Sequence, residues 1–300
     1  MSGQHDPFTK LTRRAFAGMA GAASAFYAMP AIATVPRKAD HARFVVNLPM
    51  WWTNLPFLQR IDMAARSGFV QAEMWSIGTA ADKDPAILRK RATDAGITII
   101  HCTSSLPEMS AATAEQVREA AKLTIENTAQ LGALHCTLVG HLIVNDMTPQ
   151  DRLARYRDNV AIALPYFAEA GIRLLIEPFN PYNHPGYFLY GHKDALAICR
   201  EIDSPALKIN WDLFHMQRAE GNLWDNLKKG ADQCGYLQLA DSPDRRQPGT
   251  GEIDFAFLLR NAQAEGIHVP ISLECRPGDG NEGQAIEDVA RLARALPPIS

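Results

Sequence analysis

No CxxC pair occurs in the 300 residues, and the five cysteines (102, 136, 199, 234 and 275) are odd in number and scattered. That excludes a cysteine zinc cluster and offers no disulfide framework, so the thiols are expected to be small core residues. No GxxxxGK[ST] string is present, and no glycine-rich turn follows the first apolar run, which removes the usual nucleotide-phosphate cradles. Basic residues are not in excess either: 30 Lys and Arg face 33 Asp and Glu, a formal net charge of -3. Such a balance gives no electrostatic footprint for nucleic acid or an anionic membrane. What the chain does have is 47% apolar residues, enough for a large core.

The first 33 residues read as a leader. Thr12-Arg13-Arg14-Ala15-Phe16 is a twin-arginine core, and an uncharged stretch runs from Ala15 to Met29. Ala31-Ile32-Ala33 then supplies the small residues that a signal peptidase reads. The stretch is short and rich in Ala and Gly, so no membrane contact is expected after cleavage. The expected division is a twin-arginine signal peptide over 1–33, a linker over 34–42 and a single domain over 43–300, acting in the periplasm. That route carries proteins that have already folded. Without residues 1–33 the chain keeps 27 basic and 32 acidic residues, a net of -5.

Beyond the linker, strand and helix signals alternate. Eight short runs rich in Val, Ile and Leu, at 44–48, 70–74, 98–102, 135–139, 173–177, 207–212, 236–239 and 270–274, read as strands buried on both faces. Between them lie amphipathic patterns, such as Leu153, Tyr156, Val160, Leu164 and Phe167 opposite Arg152, Arg155 and Asp158. Gly68, Gly96, Gly132, Gly171 and Gly266 stand where helices should end just before a strand. Eight βα units in this length predict an α/β fold, a single-domain (β/α)8 TIM barrel. An open doubly wound sheet is the rival and would need fewer strands and an early phosphate loop.

Four polar residues fall at the ends of successive strand runs: Glu177, Asp212, Gln238 and Glu274, spaced by 35, 26 and 36 residues. Each gap is one strand plus one helix, so a barrel delivers all four to the same mouth. A lone carboxylate there is more often a salt bridge or helix cap, but four converging oxygen donors suit a hard divalent cation, magnesium or manganese. Gln238 is also the residue most readily explained as bonding its neighbours. Two carboxylates flanking a cation form an acid/base pair for proton transfer beside a carbonyl, with the cation stabilising the enediolate. Glu73 and His101 end the second and third strand runs and point at the same mouth, where each either contacts substrate, supports the residues that do, or makes a structural hydrogen bond. Trp51 and Trp52 follow the first run, where they wall a pocket or pack over the barrel end. The aromatic loop 181–188 after Glu177 reads as a lid or a rigid connection.

The chain resembles the hydroxypyruvate isomerases, within the xylose-isomerase-like barrels. The resemblance runs from Asn47 to about Pro277 and is carried by NLPMWWTNLPFLQRIDMAARSGF, LLIEPFNPYNHPGYFL, WDLFHMQRAEGNL, LQLADSPDRRQPGTGEIDF and LECRP. It implies that Glu177, Asp212, Gln238 and Glu274 hold a divalent metal and that Glu177 and Glu274 are the catalytic proton carriers. It further implies substrate contacts at His215 and at Arg245, the latter gripping an anionic end. The amide at Gln238 is similar to the isomerase branch, since ketose 3-epimerases usually place His there. The implied activity is a metal-dependent isomerisation, by family default hydroxypyruvate to tartronate semialdehyde, on a small hydroxy-keto acid or sugar. A ketose or keto-sugar epimerase remains an alternative, and so does a non-catalytic periplasmic sugar-binding barrel. Barrels of this kind often pair, which leaves a homo-oligomer open.

Overall fold

Eight apolar runs become eight parallel strands: β1 (Val45–Asn47), β2 (Gln71–Glu73), β3 (Thr98–Thr103), β4 (His135–Leu138), β5 (Arg173–Ile176), β6 (Leu207–Asp212), β7 (Cys234–Gln238) and β8 (Ile271–Leu273). They pair in sequence order, and β8 closes on β1 through Val45↔Ser272 and Val46↔Leu273, giving a closed barrel. The computed structural model describes residues 39–298, apart from Thr79 and Asn145. The expected signal peptide and the first part of the expected linker lie outside the described residues. Asp40–Arg43 forms a turn of 3-10 helix with His41 and Ala42 buried, so the end of the expected linker belongs to the barrel.

The helices between strands are α1 (Phe57–Arg66), α2 (Pro85–Ala95), α3 (Ala114–Leu131), α4 (Pro149–Ala170), α5 (His192–Ile202), α6 (Leu213–Ala219), α7 (Leu223–Lys229) and α8 (Phe255–Ala264), with α9 (Glu282–Arg294) last. The five glycines expected at helix ends all adopt positive φ, between 67° and 88°. At Gly96 and Gly132 this closes the helix, because only glycine enters the left-handed region without a Cβ clash. Arg152 departs from the polar face expected for α4: it is buried, donates to the Met147 carbonyl and lies over the Phe188 ring. Its planar cation is satisfied by a carbonyl and an aromatic face, so it tolerates burial. A GxGxxG string does occur, Gly278 to Gly283, running from the β8–α9 turn into the start of α9, but among the described residues no strand follows to complete a dinucleotide-binding unit. No helix among the described residues is long and apolar enough to cross a membrane.

The barrel interior is layered. Val45, Ile100, Leu175 and Tyr236, from the odd strands β1, β3, β5 and β7, form one apolar cluster. A polar set from the even strands is Glu73, Thr137, Asn210 and Ser272, each at most 1% exposed. Side chains alternate along a strand with period two. Two residues beyond Leu175, Tyr236, Asn210 and Ser272 come Glu177, Gln238, Asp212 and Glu274. The interior packing therefore sets which polar residues face inward at the mouth.

Candidate active site

The four strand-end residues meet at the C-terminal mouth of the barrel. Glu177, Gln238 and Glu274 line a cavity of about 270 Å³ together with His101, His184, His215, Arg245, Trp75 and Phe179. Asp212 is fully buried beside them. One of its oxygens, Oδ1, caps α6 by accepting from the backbone N–H of Phe214 at 2.7 Å and of His215 at 3.2 Å. The other, Oδ2, is left for the site and lies 3.3 Å from Arg245 Nη2. The same Nη2 donates to Glu274 Oε2 at 3.1 Å.

Charge decides what this site can hold. Glu177, Asp212 and Glu274 supply three negative charges in a buried space, and Arg245 supplies one positive charge. Glu177 and Asp212 offer oxygens within 4.8 Å of each other. At that spacing two carboxylates repel by roughly 3.5 kcal/mol at an effective dielectric of 20. Burial accordingly raises Glu177 far above the ordinary carboxylate range, with Glu274 and Asp212 adding to the rise. Burial also pushes Asp212 up to about 8, with Arg245 opposing and Glu274 reinforcing. Glu274 is raised by burial against the pull of Arg245. The residual charge of two is what protons or one divalent cation would neutralise, so the donor set fits such an ion.

Gln238 has both ends of its amide engaged. Oε1 accepts from Asn210 Nδ2 at 2.6 Å, and Nε2 donates to Glu73 Oε1 at 3.2 Å. Its oxygen is thereby oriented and keeps a second lone pair. Glu73, expected at the mouth as a substrate contact or as a support for the residues around it, lies beneath the cavity and has the second arrangement. It is fully buried and accepts from Asn47 Nδ2 at 2.8 Å and Tyr236 OH at 2.9 Å, so it supports Gln238 from below. His101 does reach the cavity; its Nε2 contacts Thr137 Oγ1 at 2.7 Å and its ring stacks on Tyr236. Burial pushes it down to about 3, so it is neutral.

Trp51 is not where a pocket wall would be. It is fully buried, donates from Nε1 to the Leu273 carbonyl at 3.2 Å and packs with Trp52 and Phe69. The reason is local: Asn47 accepts from the backbone N–H of Met50 and Trp51, and that tight turn sends the ring into the packing layer. The aromatic wall comes from Trp75, two residues after Glu73, whose Nε1 donates to Glu274 Oε1 at 2.9 Å. Loop 181–188 brings His184 to the cavity, stacked on Phe179 at 3.9 Å. It is tied down by Tyr190 OH on the His184 carbonyl and by Ile143 N on the Gly186 carbonyl.

Two further residues organise the site without standing out in the sequence. Asn180 bonds His215 Nδ1 at 2.7 Å. Asp241, three residues after Gln238, accepts from five backbone N–H groups: Ser242, Gly249, Thr250, Gly251 and Ile253, at 2.9 to 3.1 Å. It thus holds the β7–α8 loop, which presents Arg245 at a φ of +57° with its guanidinium 5.1 Å from the Phe214 ring.

A family profile described as xylose isomerase-like TIM barrel matches residues 61–296. The chain belongs to this family. Hydroxypyruvate isomerase of Escherichia coli (strain K12) is 30% identical to this xylose isomerase-like chain over 248 residues, covering 78% of it and 93% of the relative. The 2-oxo-tetronate isomerase of Cupriavidus necator is 31% identical over 248 residues, with coverages of 79% and 94%. The barrel also superimposes on an AP endonuclease family 2 protein from Brucella melitensis with a TM-score of 0.76 at 22% identity, over 85% of this chain and 99% of that one. An L-ribulose 3-epimerase matches with a TM-score of 0.66 at 23% identity, over 84% and 91%. Those two likenesses show the fold alone. This member of the xylose isomerase-like family is an enzyme of the isomerase/epimerase type.

Proposed function

We propose that the site isomerises a 2-oxo-3-hydroxy carboxylate by proton transfer between adjacent carbons, aided by a divalent cation, with hydroxypyruvate to tartronate semialdehyde as the reference reaction. The observation that carries this is the pair Glu177 and Glu274 lining one cavity, with Arg245 between Glu274 and Asp212. Moving a carbonyl along a chain requires a proton to leave one carbon and return at the next, and two carboxylates can share that task. Both relatives named above carry isomerase names whose substrates share this 2-oxo-3-hydroxy acid pattern.

Glu177, Asp212, Gln238 and Glu274 would hold magnesium or manganese. When bound, such an ion acidifies the C–H bond and steadies the developing negative charge. The residues do the rest. Glu177 and Glu274 give and take the proton, each needing to be ionised in one half of the cycle. Arg245 has its charged form favoured by Glu274, Asp212 and Glu177 despite burial, and it offers guanidinium N–H groups to a carboxylate. Phe179 and Trp75 exclude water from the sides. Chelator-treated protein should turn over neither hydroxypyruvate nor 2-oxo-tetronate, and magnesium or manganese should restore product detected by NMR. Full activity after chelation would remove the cation from the account.

A further inference from the structure

We propose that Asn180 is a positioning residue: it holds His215 in the tautomer protonated on Nε2. His215 is then a hydrogen-bond donor to a substrate oxygen and not a ligand of the cation. This rests on the isomerase reading of the same site. Asn180 follows Glu177 by three residues and is fully buried. The two ends of its amide are told apart by their partners. Oδ1 accepts from the backbone N–H of Tyr182 and of Asn183, both at 3.0 Å. Turning the amide over would lose both bonds and set an NH₂ group against two N–H donors. The NH₂ end therefore faces His215, and Nδ2 stands 2.7 Å from Nδ1.

An amide N–H only donates, so Nδ1 must present its lone pair. An imidazolium would put a second donor there, and the geometry rejects it. The single proton of the neutral ring lies on Nε2, which faces Asp212 Oδ2 at 3.4 Å and Glu177 Oε1 at 3.7 Å across the cavity. Arg245 Nη2 is also 3.4 Å away, but its two hydrogens are directed to Glu274 and Asp212. Spacing alone would make Glu177, Asp212 and His215 a three-ligand set. A protonated Nε2 has no lone pair to give a metal, so the donors left are all oxygen. The Nε2 proton is free to meet a carbonyl or hydroxyl oxygen of the substrate.

The test uses the full chain labelled with ¹⁵N-histidine. Long-range ¹H–¹⁵N correlations identify His215 as the ring that disappears in His215→Gln. Wild type should show a protonated Nε2 and a bare Nδ1. Asn180→Asp places an accepting oxygen against Nδ1, so the pattern should invert and kcat fall at least tenfold with a smaller change in KM. Manganese alone, titrated into His215→Gln, should still bind, with a loss no larger than the roughly 10–100-fold that removing a neighbour of a ligand costs. A proton on Nδ1 in the wild-type ring, or manganese binding abolished in His215→Gln, overturns the inference. Failure of the isomerase reading looks different: no turnover of any 2-oxo-3-hydroxy acid, with the wild-type ring pattern still as stated.

Discussion

Arg245 reaches Glu274 at 3.1 Å from a loop whose backbone is gathered onto the carboxylate of Asp241. The pairing of site arginine and site glutamate thus depends on a residue that touches neither of them by its side chain. Asp241→Asn exchanges an accepting oxygen for an NH₂ group facing backbone donors. It should lower stability by about 1.5–3 kcal/mol, the range for hydrogen bonds to a charged group, and raise KM for an anionic substrate about tenfold. Urea denaturation and steady-state kinetics measure the two effects. A stability loss with KM unchanged would show that Arg245 holds its place without Asp241.

Trp75 supplies the only N–H donor recorded on Glu274 Oε1 among the described residues, at 2.9 Å. Trp75→Phe keeps the aromatic wall and removes that donor. Losing one hydrogen bond of about 1 kcal/mol should reduce kcat about fivefold, with little change in fold or in KM. If kcat stays at the wild-type value, that bond does not tune Glu274.

His101 and His135 flank the Tyr236 ring inside the barrel, and burial pushes each down to about 3. In the unfolded chain each takes up a proton near pH 6.5. A depressed pKa in the fold means that the unfolded state binds the extra proton, so stability is full above 6.5 and falls as the pH drops toward 3. The slope reaches about 1.4 kcal/mol per pH unit for each ring. His135→Gln should therefore lose about 1.6 kcal/mol less than wild type between pH 6.5 and pH 5 in denaturant titrations. Equal losses would show that His135 does not stay neutral in the folded protein.

The twin-arginine reading of Thr12 to Phe16 makes a separate prediction about where the enzyme works. Expressed with its own leader, the protein should appear in the periplasm with a new N-terminus after Ala33, read by mass spectrometry. Replacing Arg13 and Arg14 by Lys should keep it in the cytoplasm; undiminished export would remove the twin-arginine route.

The barrel was legible because a strand buried on both faces leaves an uninterrupted apolar run, and glycine marks each helix end that must turn back. Period two then makes the residue at a strand's end predictable, which is why Glu177, Asp212, Gln238 and Glu274 meet at one mouth. Glu73 shows the limit of that rule. It ends β2, yet its carboxylate is taken up by Asn47, Tyr236 and Gln238, partners from two other strands that no single sequence brings together. Trp51 and Trp75 both follow strand ends, yet one ring packs inward and the other guards the cavity, because loop turns rather than strand period aim them. Asn180 and Asp241 stand in Asn-Pro and Asp-Ser-Pro, common turn strings that carry no signal of a site. Their role depends on which backbone N–H groups fold back toward them.

The central claim is proton transfer between Glu177, Glu274 and the substrate. Its most direct test is hydroxypyruvate incubated in heavy water with the metal-loaded protein and followed by NMR. The account predicts deuterium entering at the exchanging carbon together with appearance of tartronate semialdehyde, and neither event with Glu177→Gln or Glu274→Gln, each folded as wild type. Deuterium entry and rearrangement that persist in the Glu274→Gln protein would contradict it.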